Sequence, residues 1–90
     1  MSNKILTWDE LESEIFTPEE IARSRARVEI ISAIIDARLA KGLSQKDLAE
    51  ITGIKQPAIA RLEKGNISPS IDTINRLLAP LGKRLAVVDI

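Results

Sequence analysis

Residues 43–70 read LSQKDLAEITGIKQPAIARLEKGNISPS, and this stretch decides the fold. Apolar residues recur in it at helical spacing on both sides of Gly53. Ser44 predicts the start of a helix over 45–52, and Gly53 predicts its end, because glycine adopts the left-handed turn without a steric penalty. A second helix is predicted over 56–64. Two short helices joined by a glycine-containing turn have the arrangement of a helix-turn-helix.

Helical patterns also flank this stretch on both sides. The segment TPEE at residues 17–20 combines a capping threonine with a proline in the first turn, and it predicts a long helix over 18–40, about 35 Å in length. A shorter helix is predicted over 8–15, and another begins after Ser70. The last residues, 84–90, are rich in β-branched side chains and predict a short strand, which needs a pairing partner.

The second half of the long helix is apolar over a wide arc, with two neighbouring stripes. One stripe contains Val28, Ile31, Ile35 and Leu39, and the other contains Ile30, Ile34 and Ala37. A helix of this kind needs cover on more than one side. Either the chain's own domain buries both stripes, or the second stripe meets another chain.

The central pattern resembles the phage-repressor-like helix-turn-helix family of the Xre and Cro type. The matching positions are Gln45, Leu48, Ala49, Gly53, Ile54, Ile59, Leu62, Glu63 and Gly65. The resemblance implies an all-α fold, which we expect to be a five-helix phage-repressor-like helix-turn-helix domain with an N-terminal helical extension and a short C-terminal β-strand. We therefore predict an extension over 1–27, a DNA-binding domain over 28–82 and a C-terminal strand segment over 83–90.

The same resemblance identifies the second helix of the unit as the recognition helix. The residues expected to reach base edges are Gln56, Pro57, Ala58 and Arg61. Glutamine can bond to adenine through two hydrogen bonds and arginine to guanine in the same way. The alternatives are that Arg61 is a solvated surface charge and that Gln56 contacts phosphate or solvent. Phosphate contacts are expected from Gln45, Lys55, Lys64, Asn66 and Ser68.

Arg38 and Glu63 have a different expected role. In the family that this chain resembles, an arginine in the first helix and a glutamate in the recognition helix form an internal ion pair. We therefore assign both residues to structure and not to catalysis.

Composition limits the possible chemistry. The chain has 90 residues and contains neither cysteine nor histidine, so it lacks thiolates and the commonest general base and metal ligand. It has 13 basic and 13 acidic residues. Residues 1–22 hold one lysine against six carboxylates, and residues 23–90 carry the opposite excess. We expect a cytoplasmic protein that is not an enzyme, has no cofactor or metal and does not associate with membranes.

The overall plan resembles HigA-type antitoxins of bacterial toxin–antitoxin modules, on the basis of size, the N-terminal extension and the tail that begins GKRL at residues 82–85. That resemblance implies a HigB-type toxin partner, which is a RelE-like mRNA-cleaving nuclease, and repression of the module's own operon. An acidic arm suits a basic nuclease. The expected toxin contacts are Trp8, Leu11, Ile15, Phe16 and Ile21. The alternative is that the aromatic side chains pack on the long helix of their own chain.

The remaining expectations concern assembly. We expect a homodimer on operator DNA, paired through Leu85, Ala86, Val87 and Val88, and a heterotetramer with the toxin. Arg23, Arg25 and Arg27 do not suit an acidic arm, and they can pair with glutamates along their helix or contact DNA or the toxin. Two other functions remain open, namely a free-standing Xre-type repressor without a toxin and a protein-interaction module with a relic helix-turn-helix.

Overall fold

The computed structural model describes Thr7 and residues 15–89. This part of the chain contains four α-helices and a final 3-10 turn: α1 (Pro18–Ala40), α2 (Gln45–Thr52), α3 (Gln56–Glu63), α4 (Ile71–Leu78) and the turn Ala79–Leu81. The predicted count of five helices is therefore not supported. The additional helix, predicted over 8–15, lies outside the described residues except for Ile15, which is helical.

Short polar side chains start three of these helices at the predicted residues. The Thr17 hydroxyl accepts the Glu20 N–H at 3.1 Å, and the Ser70 hydroxyl accepts the Thr73 N–H at 3.1 Å. At α2, Ser44 and Asp47 cap each other reciprocally. Such caps satisfy backbone donors that would otherwise lack partners in the first turn.

The core lies between the second half of α1 and the three short helices. Its most deeply buried side chains are Ile34, Leu48, Ile59, Leu62 and Leu77. Each helix contributes at least one of them, so every helix is held by burial of apolar surface as well as by its own hydrogen bonds.

Helix α1 is longer than the core that it covers. The stripe of Ile30, Ile34 and Ala37 faces the chain's own domain, with Ile34 fully buried. In contrast, Val28 and Leu39, at the ends of the other stripe, are each 60% exposed. None of the described helices, α1 included, is both long and apolar enough to cross a lipid bilayer.

The predicted C-terminal strand is not present. Residues 83–89 contain no strand, and no other strand exists within the described part of the chain. Leu85 is half-buried against the core, whereas Ala86, Val87 and Val88 are exposed. The physical reason is that an isolated strand cannot satisfy its own backbone hydrogen bonds, and Thr7 and residues 15–89 include no second strand with which it could pair.

Candidate nucleic-acid interface

The turn between α2 and α3 sets the angle between the two helices. Gly53 has φ +76°, and its N–H donates to the Ala49 carbonyl at 2.9 Å. A Cβ at this position would lie 3.7 Å from the Arg76 side chain, which is an ordinary contact. Glycine is therefore required here by the left-handed backbone and not by lack of space.

Two side chains that the sequence reasoning missed hold this turn in place. The Thr52 hydroxyl donates to the Leu48 carbonyl at 2.8 Å and accepts the Ile54 N–H at 3.2 Å. Arg76, on α4, donates from Nη2 to the Thr52 carbonyl at 2.9 Å. A threonine next to a turn glycine is a recognisable local signal, but Arg76 lies 24 residues away and no local pattern indicates it.

Helix α3 presents one face to the core and the other to solvent. Ile59 and Leu62 are fully buried. Among the predicted base-contacting residues, Gln56, Pro57 and Arg61 are exposed and Ala58 is half-buried. The outward face thus carries one amide and one guanidinium, the two groups that form paired hydrogen bonds with adenine and guanine.

The backbone at the start of α3 offers few free donors. Lys55 occupies the N-cap without a side-chain cap, and its carbonyl accepts from the N–H groups of Ala58 and Ile59 at 3.0 and 3.2 Å. Pro57 has no N–H. Within the described residues, the first turn therefore leaves only the Gln56 N–H without a backbone partner, so a ligand at α3 would meet mainly its side chains.

Four of the predicted phosphate-contacting side chains flank α3 at its two ends. Lys55 precedes the helix, and Lys64, Asn66 and Ser68 follow it; all four are exposed. The fifth, Gln45, differs: it is half-buried, and its Nε2 donates to Glu63 Oε1 at 2.9 Å. That side chain is engaged inside the domain, so its backbone N–H at the start of α2 is the better donor for a phosphate.

Glu63 joins three helices through one carboxylate. Arg38 of α1 donates from Nε to Oε2 and from Nη2 to Oε1, both at 2.8 Å, in a bidentate pair. A third nitrogen, Nη1, donates to the Leu43 carbonyl at 2.9 Å. The Arg38 and Glu63 side chains are only 10% and 7% exposed, respectively. No buried side-chain nitrogen or oxygen in the described region lacks a hydrogen-bond partner.

The pairing of Glu63 also decides the charge of this surface. Lys55, Arg61 and Lys64 are exposed on or beside α3. Glu63, the acidic residue at the end of α3, forms an ion pair with Arg38, which neutralises its negative charge. A chain without net charge therefore carries a positive surface around α3, as nucleic-acid binding requires.

The helix-turn-helix family model matches residues 34–88. The chain belongs to the helix-turn-helix family. The matched region begins inside α1 and ends in the C-terminal tail, so it includes the complete α2–turn–α3 unit.

Relatives of this helix-turn-helix protein include transcriptional regulators. An uncharacterized HTH-type transcriptional regulator of Haemophilus influenzae is 49% identical over 81 residues, which cover 90% of this chain and 83% of the relative. The HTH-type transcriptional regulator PuuR of Escherichia coli is 37% identical over 51 residues, which cover 57% of this chain and 28% of PuuR. The PuuR similarity therefore concerns one domain of a longer protein.

A solved structure matches the protein over almost its whole length. A chain of the toxin–antitoxin module from Streptococcus pneumoniae is 48% identical, with a TM-score of 0.79, and the match covers 97% of each chain. The likeness thus extends beyond the helix-turn-helix domain. The protein is an Xre-type helix-turn-helix regulator with a structural neighbour in a toxin–antitoxin module.

Proposed function

We propose that this protein is the antitoxin of a HigA-type toxin–antitoxin module, which neutralises its toxin by contact and represses its own operon. The observation that carries the proposal is the 48% identity to a chain of a toxin–antitoxin module over 97% of both chains. Because that match includes the N-terminal residues, it supports more than a shared DNA-binding domain.

The DNA-binding half of the proposal is supported by the exposed face of α3. Gln56 and Arg61 are solvent-exposed and available to read bases, with Pro57 and Ala58 beside them to contact a thymine methyl group. Exposed Lys55, Lys64, Asn66 and Ser68 supply the phosphate contacts. As a homodimer, the protein would present two such helices to half-sites about one DNA turn apart, roughly 34–36 Å.

The toxin-binding half is supported by uncovered apolar surface at the start of α1. Phe16 is 45% exposed and Ile15 is 61% exposed. Phe16, Pro18, Ile21 and Ala22 line an open groove of about 710 Å³. Aromatic side chains that become buried on binding supply much of the binding free energy at many interfaces. Phe16 is the aromatic side chain that this groove offers for such a role. Trp8 and Leu11, the other predicted anchors, lie outside the described residues.

The proposed partner is a HigB-type, RelE-like ribonuclease. Such a toxin must hold RNA, so it carries positive charge, and residues 1–22 of this chain carry six carboxylates against one lysine. Opposite charges accelerate association, and buried apolar anchors slow dissociation. One toxin on each protomer of an antitoxin dimer makes a heterotetramer, which would act in the cytoplasm.

The test is co-expression with the small protein encoded beside this gene. The full chain should restore growth that the neighbouring protein arrests, and it should co-purify with that protein. Deleting residues 1–16 should abolish the rescue, while operator binding in a mobility-shift assay should remain, because α3 and its flanks are untouched. Rescue by the deleted chain would mean that the toxin binds elsewhere, and Ile15 and Phe16 would then serve their own chain.

The leading alternative is a free-standing Xre-type repressor. The similarity to the Haemophilus influenzae transcriptional regulator favours it, because that match also covers most of both proteins. Specific operator binding without any effect on the neighbouring gene product would support this alternative. Rescue of growth without DNA binding even at low salt would instead indicate an interaction module with a relic helix-turn-helix.

A further inference from the structure

The face of α1 that enters the core continues beyond it as a pair of arginines. Arg23, Arg27 and Ile31 follow one another at intervals of four residues, so they lie on one side of the helix. Ile31 is buried, whereas both arginines are exposed. Arg23 and Arg27 are separated by about 6 Å along the helix axis.

These arginines border a cleft between α1 and the loop that follows α3. The cleft has a volume of about 180 Å³, and its lining includes Arg23, Arg27, Ile31, Ser68 and Pro69. Its lining combines apolar side chains with the exposed residues Arg23, Arg27 and Ser68. Such a lining suits an anionic group that stays partly solvated.

Neither Arg23 nor Arg27 has an ion pair or hydrogen bond within the described structure. Pairing along the helix was one expectation for them, but the Glu20 carboxylate accepts a hydrogen bond from the Thr17 hydroxyl instead, at 3.1 Å. Two cations on one helical turn repel each other when they are unpaired. An anionic partner would relieve that repulsion.

We propose that Arg23 and Arg27 bind phosphates of the DNA backbone next to the half-site that α3 reads. This inference rests on the proposed DNA-binding function and extends its surface. Ser68 links the two, because it lines the cleft and also belongs to the predicted phosphate-contacting loop. Arginine is suited to this role because its planar fork can hold phosphate through two hydrogen bonds.

The opposite side of α1, at the level of Arg23 and Arg27, borders an apolar groove. Arg25 lies about 200° around the helix from Arg23 and from Arg27. It borders the apolar groove that contains Phe16 and Ile21. One side of α1 would thus contact DNA while the other contacts the toxin, and a basic toxin would be repelled from the Arg23–Arg27 side.

The experiment compares single and double charge removals by fluorescence anisotropy. The probes are a duplex from the region upstream of this gene and a scrambled duplex of the same length. Salt is varied from about 50 to about 200 mM, because log K falls linearly with log salt and each lost phosphate contact makes that slope less steep by about 0.9. The double variant Arg23→Gln/Arg27→Gln should make the slope less steep by about 1.8 per protomer on both duplexes. The matched control Arg25→Gln removes one charge from the opposite face, and it should change the slope less than Arg27→Gln does.

Each outcome separates this inference from the proposed function. The Arg23 and Arg27 variants should keep the wild-type melting temperature, because both side chains are exposed and make no hydrogen bond or ion pair within the described structure. If the wild-type chain binds neither duplex, the DNA-binding function itself fails. If the wild-type chain binds but the double variant keeps the wild-type slope, only the arginine contact is wrong. Loss of toxin neutralisation with unchanged DNA binding would also overturn it, by assigning these arginines to the toxin.

Discussion

At the scale of single residues, Glu63 connects the fold to the site. Its carboxylate accepts from Arg38 of α1 and from Gln45 of α2, and the residue itself ends α3. Helix α3, which we propose reads DNA, is therefore oriented by a buried polar contact as well as by apolar packing. A network of this kind is stable only when every member has a partner.

Glu63→Gln should strongly destabilise the protein. The substitution leaves the Arg38 guanidinium almost buried without a counter-charge, and loss of one partner from a buried pair costs about 3–5 kcal/mol. Urea unfolding followed by circular dichroism measures the change. Glu50→Gln, which removes an exposed carboxylate from α2, is the control and should change stability by less than about 0.5 kcal/mol. A decrease below about 1 kcal/mol for Glu63→Gln would show that the pair does not hold the helices.

Arg61→Ala should weaken operator binding and reduce sequence preference. We expect a loss of about 1–3 kcal/mol at the operator, because one pair of hydrogen bonds to a base edge is removed. The fold should remain intact, because the side chain is exposed. Lys64→Ala is the comparison variant: as a phosphate contact, it should weaken operator and scrambled DNA alike. An unchanged operator-to-scrambled ratio for Arg61→Ala would identify Arg61 as a surface charge.

At the scale of elements, α2 depends on the reciprocal cap at its start. Asp47 Oδ2 accepts the Ser44 N–H at 2.9 Å, and the Asp47 N–H donates to the Ser44 hydroxyl at 3.0 Å. The hydrogen bond from the Ser44 backbone, followed by that from its side chain, lowers the pKa of Asp47 below its usual value. The ionised form is thus the one that stabilises the helix.

This cap predicts how stability depends on pH. A carboxyl group whose pKa is lowered by folding contributes stability that is complete above its unfolded pKa of about 3.9 and is lost as the pH falls through the folded value. Asp47→Asn should therefore be less stable than wild type at neutral pH, and the difference should shrink as the pH falls below about 4. Unfolding curves at pH 7 and pH 3 measure it, with Asp36→Asn, an exposed carboxylate in the interior of α1, as the control. A difference that stays constant with pH would contradict the role of the charge.

Helix α1 packs on the core over only part of its length. Its second half supplies Ile31, Ile34 and Ala37 to the core, whereas none of its buried residues precedes Ile31. The first half is held as helix by its own hydrogen bonds and by the Thr17 cap. A long helix that is uncovered over half its length has surface available for partners on two sides.

At the scale of the whole molecule, the C-terminal tail leaves apolar side chains uncovered. Leu85 packs against the core, but Val87 is fully exposed and Val88 is 78% exposed. Apolar residues of high strand propensity gain most by pairing with another strand. The strand is absent from the single chain, and pairing between two chains remains our proposal for the dimer.

Deleting residues 84–90 should weaken dimerisation and operator affinity together. Both should fall because a dimer places two recognition helices on successive half-sites. Analytical ultracentrifugation and mobility shifts measure the two quantities. The double variant Val87→Asp/Val88→Asp is a sharper test, because it keeps Leu85 on the core while charging the exposed pair. A variant that sediments as the wild-type dimer would exclude the tail from the interface.

The sequence by itself determined the helix-turn-helix unit and the boundaries of its helices. The signals are local: a capping serine at 44, a left-handed glycine at 53 and apolar residues at helical spacing. Such signals act within a few residues, and every level of the pattern indicates the same structure. The resemblance also directed attention to Arg38 and Glu63, which lie within hydrogen-bond distance in the structure.

Only the tertiary structure decided how the remaining residues are used. Gln45 was predicted to contact phosphate, but its side chain meets Glu63, 18 residues away. Arg76 holds the turn through the Thr52 carbonyl, and no periodicity predicts that bond. Val28 and Val87 carry side chains suited to a core or a sheet, yet they are exposed. Burial and pairing depend on which distant segments arrive beside a residue, so helical pattern and strand propensity cannot determine them alone.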